Sequence, residues 1–191
     1  MSAPEAIAKV IVEHNCMYIA EIGVNSCNFC DQLLGILKGK GHQLLEYYLI
    51  DPWPHGYKCG SCGGDKTTDE KWDSLYRAAV KRTIGNDFLK VMRLTSVEAA
   101  KLFPDNYLDL FFIDADHTYK SMMEDIPAWM PKLAKWGVAS GHDYSGGWQP
   151  VVDAVDEYFI ERAGKAGELK KFYEIDDKHY RMDSGVWVVE P

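Results

Sequence analysis

The sequence predicts an α/β fold: a doubly wound, mostly parallel seven-stranded sheet with helices on both faces and a C-terminal antiparallel hairpin. Three observations lead there. Apolar stretches of strand length recur at residues 17–22, 43–50, 89–95, 108–113 and 137–140, with amphipathic stretches between them. This alternation builds a parallel sheet between two helical layers. After Ser140 the pattern changes to one long helix at 148–163 and two strands, 171–175 and 185–189, joined by a polar turn. Finally, 191 residues of which 47% are apolar can bury one sizeable core, so a single domain spanning 1–191 is expected.

Taken in order, Pro4 sits where proline is tolerated, early in a helix that runs through His14. The strand at 17–22 leads to a helix at 27–37, and the strand at 43–50 to the one long loop, 52–68, and then a helix at 69–82. Shorter units follow: strand 89–95 with helix 96–102, strand 108–113 with helix 119–130, and strand 137–140. Trp72, Tyr76, Trp129, Trp136 and Tyr158 fall at helical or strand spacing and are expected in the core. No internal repeat, low-complexity tract or domain linker interrupts the pattern.

Composition narrows the function. Lysine and arginine number 21 against 29 acids, a net charge of −8, which argues against a nucleic-acid backbone as partner. No window approaches a membrane span, and the first thirty residues lack the pattern of a cleaved leader. The five cysteines are an odd number and too few for a disulfide scaffold. Reduced thiols in a cytoplasmic protein are therefore expected. An exposed sheet edge and a short N-terminus would allow a homodimer.

In a doubly wound sheet the ligand lies beyond the carboxyl ends of the strands. The first such turn reads Glu21-Ile22-Gly23-Val24-Asn25-Ser26-Cys27-Asn28. A pyrophosphate would need glycine at Asn25 and Asn28, and no phosphate-loop triplet exists, which disfavours a nicotinamide-dependent oxidoreductase. Asp51 closes the second strand, where a carboxylate can accept from two ribose hydroxyls. Glu21 is a second acid, and the pair suits a nucleoside that carries positive charge. The alternative is that Glu21 and Asp51 cap helices or lie in solvent.

Four segments, Glu21-Ile22-Gly23-Val24, Leu49-Ile50-Asp51-Pro52-Trp53, Phe112-Ile113-Asp114-Ala115-Asp116-His117-Thr118-Tyr119 and Gly141-His142-Asp143-Tyr144, together resemble the small class I S-adenosylmethionine-dependent methyltransferases. The resemblance is strongest to the group with an acid-rich DxDHxY segment after strand four, and it spans residues 18–189. It implies a Rossmann-like methyltransferase fold with S-adenosylmethionine as cofactor. Glu21, Gly23, Asp51 and Asp114 carry over as cofactor contacts, with Asp51 on the ribose and Ser96 near the adenine. Where the family usually has glycine this chain has Cys27, which predicts a narrower turn.

Asp114 follows the most apolar strand, and His142 and Asp143 follow the next. Both turns should open into one crevice, with Asp116 and His117 nearby, enough donors for an octahedral divalent ion with open positions. The resemblance extends to metal-dependent O-methyltransferases of the catechol type, and by it the ligands are Asp114, His142 and Asp143. The catechol type has Asp then Asn where this chain has His142-Asp143, so Mg²⁺, Mn²⁺ or a softer ion would fit. A cation would stabilise an acceptor alkoxide while a base takes the proton. His117 is the first candidate for that base and His142 the second. The competing reading makes Asp114, Asp116 and His117 a turn in which Asp116 caps the next helix, with His142 bonded to its loop.

Two CxxC pairs, Cys27/Cys30 and Cys59/Cys62, could form a four-cysteine zinc site, but zinc at the first pair would obstruct the cofactor turn. Free thiols are expected instead, with Cys16 and Cys30 as small core residues. The loop 53–68, with Trp53, His55 and Tyr57 among glycines, suits either a lid or a solvated surface loop. Trp148 could border the acceptor pocket. The sequence thus points to metal-assisted O-methylation of a small hydroxylated acceptor. Two alternatives are a metal-independent methyltransferase with a histidine base and a catalytically idle cofactor-binding module.

Overall fold

The computed structural model describes residues 1–54, 68–162, 171–173 and 185–190. Seven strands, β1 (Tyr18–Ile22), β2 (Glu46–Ile50), β3 (Leu89–Met92), β4 (Leu108–Ile113), β5 (Leu133–Gly141), β6 (Lys171–Tyr173) and β7 (Val186–Val189), form one sheet in the order β3-β2-β1-β4-β5-β7-β6. The first five are parallel, β7 is antiparallel to β5, and β6 is antiparallel to β7. Strand order reverses between β1 and β4, which opens a crevice beyond their carboxyl ends.

Alternation along the strands feeds two cores. Ile19, Leu49, Leu110 and Phe112 face α1 (Ala3–Glu13), α2 (Asn28–Gly39) and α3 (Asp69–Arg82). Ala20, Ile22, Phe111 and Ile113 face α4 (Ser96–Ala100), α5 (Tyr119–Trp129) and α6 (Gln149–Asp156) on the other side. Each fully buried large aliphatic or aromatic side chain contributes about 1.5–3 kcal/mol. Asp109 on β4 sets the start of β1, its Oδ2 accepting the Met17 and Tyr18 N–H groups at 2.8 and 2.9 Å.

The expected elements all form, with changed limits. Residues 43–45 do not join β2, and β3 ends at Met92 rather than Thr95. β5 starts at Leu133 instead of residue 137, with a register shift against β4. Trp136 in this early half is 70% exposed and carries Lys135 over its ring, so it is not a core residue. The helix expected at 148–163 is α6 followed by a wider π-type stretch, Glu157–Arg162. Trp53 belongs to neither a lid nor a surface loop. It is fully buried, tilts against Tyr76 at 5.5 Å and donates its indole N–H to Asn25 O at 2.9 Å. His55, Tyr57 and the Cys59/Cys62 pair lie outside the described residues, so the zinc site and the rest of the lid do too. Cys16, Cys27 and Cys30 are buried free thiols. Among the described residues no helix is long and apolar enough to cross a membrane.

Candidate active site

The turn after β1 is held from both sides. Asp51, at the tip of β2, accepts the Val24 and Asn25 N–H groups on Oδ2 at 3.0 and 2.9 Å and the Trp53 N–H on Oδ1 at 2.7 Å. A carboxylate has about four acceptor positions, so Asp51 retains room for about one more donor. Burial raises its pKa, and the three backbone bonds oppose that rise. Gly23 has φ +93°, and a Cβ there would lie 2.0 Å from the Asp114 carbonyl oxygen. Only glycine lets the β1 turn and the β4 tip approach this closely.

Asn25 and Cys27 in the same turn also have positive φ, 47° and 63°, a strained backbone of the kind found at ligand clamps. Cys27 does not narrow the turn as expected. Its side chain packs in the core beneath α2, outside the lining of the crevice.

A crevice of about 920 Å³ gathers Glu21, Gly23, Asp51, Ser96, Asp114 and His117 along its wall. Glu21 is buried and bonded by the Tyr47 hydroxyl. Burial pushes its pKa up to about 8; the hydroxyl pulls it down, and Asp114, Asp51 and Asp31 add to the rise. A cation in the crevice would favour its ionised form. Neither Glu21 nor Asp51 lies in solvent. Ser96 Oγ accepts the Trp129 indole N–H at 2.9 Å.

At the tips of β4 and β5 the acids and imidazoles converge. His117 Nε2 lies 3.2 Å from Asp114 Oδ1 and 2.6 Å from Asp143 Oδ2. His142 Nδ1 lies 3.2 Å from Asp143 Oδ1 and 3.8 Å from Asp114 Oδ2. Asp114, His117 and Asp143 each offer a donor atom within 4.8 Å of the others. The ligand set that the resemblance implies has His142 in place of His117. Burial works against a charged His117, but the two carboxylates outweigh it and push its pKa up to about 9. The same two acids raise His142, and both imidazoles hold Asp143 far below the usual carboxylate range against its burial.

Asp143 reaches this position through a φ of 59°, a conformation that aspartate tolerates better than most residues. Its turn is braced from β7. Tyr144 N–H donates to Gly185 O at 3.1 Å, and a Cβ on Gly141 would strike the Trp187 indole at 2.5 Å. Trp148 lies against His117 with ring centroids 4.7 Å apart. Asp116 is not the cap of α5. Thr118 is, accepting the Ser121 N–H, while Asp116 accepts from Thr118 N–H at 3.2 Å.

One lining residue escaped the sequence reading. Met122, Asp125, Ile126 and Trp129 form the buried stripe of α5, and an acid in an apolar stripe was the available signal.

A family described as "Methyltransferase domain" matches residues 20–144. No curated protein sequence matches the chain. Among solved structures, the O-methyltransferase NovP has a TM-score of 0.67 at 18% identity, covering 98% of this chain and 78% of its own. An O-methyltransferase from Bacillus cereus in complex with SAH (S-adenosylhomocysteine) gives 0.65 at 15%, covering 100% and 82%. The N-methyltransferase NodS from Bradyrhizobium japonicum WM9 gives 0.61 at 14%, covering 97% and 94%. With residues 20–144 accounted for by that family, and with strand order and crevice those of a nucleoside-binding α/β sheet, the chain belongs to the methyltransferase-domain family and is a class I S-adenosylmethionine-dependent methyltransferase.

Proposed function

We propose that the chain, as one domain around its single sheet, transfers the methyl group to a hydroxyl oxygen of a small acceptor with help from a divalent cation. The set Asp114, His117 and Asp143, with donor atoms within 4.8 Å, carries this reading. Two carboxylate oxygens and an imidazole nitrogen suit Mn²⁺ or Mg²⁺ with positions left open. The cluster already holds a positive charge in the form of the His117 proton, and a divalent ion would compete for the same acids and release that proton. His117 is the nearer imidazole for the ion, which leaves His142 as base and exchanges the roles expected from sequence. Glu21, Gly23, Asp51 and Ser96 hold the nucleoside.

When bound, S-adenosylmethionine supplies an electrophilic methyl on a sulfonium, and the cation would supply positive charge at the acceptor oxygen. This chain's side chains orient the reactants, hold the acceptor's proton on an imidazole and line the crevice with acids that favour a cationic ligand.

The test is titration calorimetry with S-adenosylmethionine and S-adenosylhomocysteine, each with and without Mg²⁺ or Mn²⁺, followed by acceptor turnover with a chelator. Binding, and turnover that the chelator abolishes and added metal restores, is the expected result. Turnover indifferent to the chelator would favour the metal-independent alternative, for which the 2.6 Å Asp143···His117 contact is the supporting observation. No binding under any condition would leave the idle module. Cys27, which packs in the core and lines no part of the crevice, gives that module no support.

A further inference from the structure

One stretch of the crevice wall carries an acid to which the proposed function gives no role. There Ser96 and Val97 on α4 meet Ser121, Glu124 and Asp125 on α5. Asp125 lines this stretch although it is only 6% exposed. Burying a carboxylate is costly unless it is paired or hydrogen-bonded. Among the described residues no lysine, arginine or histidine is within ion-pair distance of it.

Asp125 does have one neutral donor. The Trp129 indole N–H can only donate, and it is spent on Ser96 Oγ at 2.9 Å. An ionised carboxylate can only accept, so the Ser96 hydroxyl, which accepts from the indole, has its single hydrogen to offer to Asp125. Ser96 therefore has no donor left for a ligand, whereas Asp125 has used about one of its four acceptor positions. Burial pushes Asp125 up to about 6, with Ser96 pulling it down and Glu124 and Asp116 adding to the rise, so the carboxylate is ionised at neutral pH.

The charged side chains that α5 and the turn before it bring to this wall are acids, Asp116, Glu124 and Asp125, while Lys71 lines the crevice from α3. A ligand group placed against Asp125 has to donate a hydrogen bond, which a phosphate or a keto oxygen cannot do. With the reacting methyl beside Asp114 and the ribose at Asp51, the far end of the nucleoside is left for the wall between α4 and α5.

We propose that Asp125 reads the base of the co-substrate, its carboxylate accepting a hydrogen bond from the exocyclic amine of adenine while Trp129 and Ser96 hold it in place. This rests on the S-adenosylmethionine reading above, and it makes Asp125 a specificity-determining residue outside the methyl-transfer chemistry.

The experiment compares calorimetric affinities for S-adenosylhomocysteine and S-inosylhomocysteine, in which a keto oxygen replaces the amine. The wild-type protein should prefer the adenine compound by about a hundredfold, because the keto oxygen meets a carboxylate with no donor to offer. Asp125→Asn, whose amide can donate as well as accept, should bring the two affinities within about threefold of one another. Ser96→Ala should weaken both compounds together and keep the preference, a pattern that a merely structural role for Asp125 would not separate from that of Asp125→Asn. Equal affinities in the wild type, or an unchanged preference in folded Asp125→Asn, would overturn the assignment while leaving the cofactor reading intact. Failure of the wild type to bind either compound would remove both.

Discussion

The two ends of the crevice treat their acids in opposite ways. At the end proposed for the nucleoside Asp51 accepts three backbone N–H groups, and Asp125 has the Ser96 hydroxyl beside it, so neutral donors hold these carboxylates before any ligand arrives. At the other end Asp114, Asp143, His117 and His142 pair with one another. Acids and imidazoles there face one another directly, and their pairings are available to be rearranged. On the proposed reading, recognition is built on fixed neutral dipoles and chemistry on mobile charge.

Asp143→Ala should break this contrast most sharply. Asp143 does not line the crevice, so S-adenosylhomocysteine affinity should hold within about threefold while turnover falls about a thousandfold, as expected from losing charge stabilisation at the acceptor. A loss of nucleoside affinity in calorimetry would mean that the ends are assigned the wrong way round. Asp51→Ala acts on the scaffold side and should cost about 3 kcal/mol of folding free energy in urea titrations without ligand, because buried N–H groups lose their acceptor. Unchanged stability would show that Asp51 serves the ligand alone.

Asp125→Asn sharpens the comparison through pH. Burial pushes the folded carboxyl from its ordinary 3.8 up to about 6, so the native state binds its proton more tightly than the unfolded chain does. The resulting stability is fully present below the lower value and lost as pH rises through the upper one. The variant lacks that loss. Between about pH 4 and pH 7 its urea midpoint should gain on the wild type by an amount worth about 2–3 kcal/mol. Parallel profiles would mean that Asp125 is better solvated than its burial indicates.

The sheet was legible because its strands are buried on both faces and so read as apolar runs; Leu108–Ile113 is the clearest case. The limits of α3 were legible too, at Asp69 and Arg82. β5 was not. Its first half passes Lys135 and Trp136 outside the part that pairs with β7, which begins at Ala139, and polar residues there hid a strand. Trp136 read as core because spacing reports periodicity and carries no information about which neighbours are missing. The strand-tip acids could be named from their position after each strand. Which imidazole stands between which carboxylates depends on the positive φ of Asp143 and on Trp148 beside His117, relations that no local pattern encodes. Asp125 was overlooked because the stripe that contains it was read for its apolar members.

The brace from β7 onto the turn of His142 and Asp143 also orders events in time. During synthesis the strands and helices that would cradle the nucleoside, β1 through α5, have all been made before β7 exists. The turn that carries Asp143 emerges earlier than the Trp187 indole and the Gly185 carbonyl that hold it. The turn that carries Asp143 is therefore fixed only after β7 has joined the sheet, so its geometry depends on a strand made later than every element of the crevice wall.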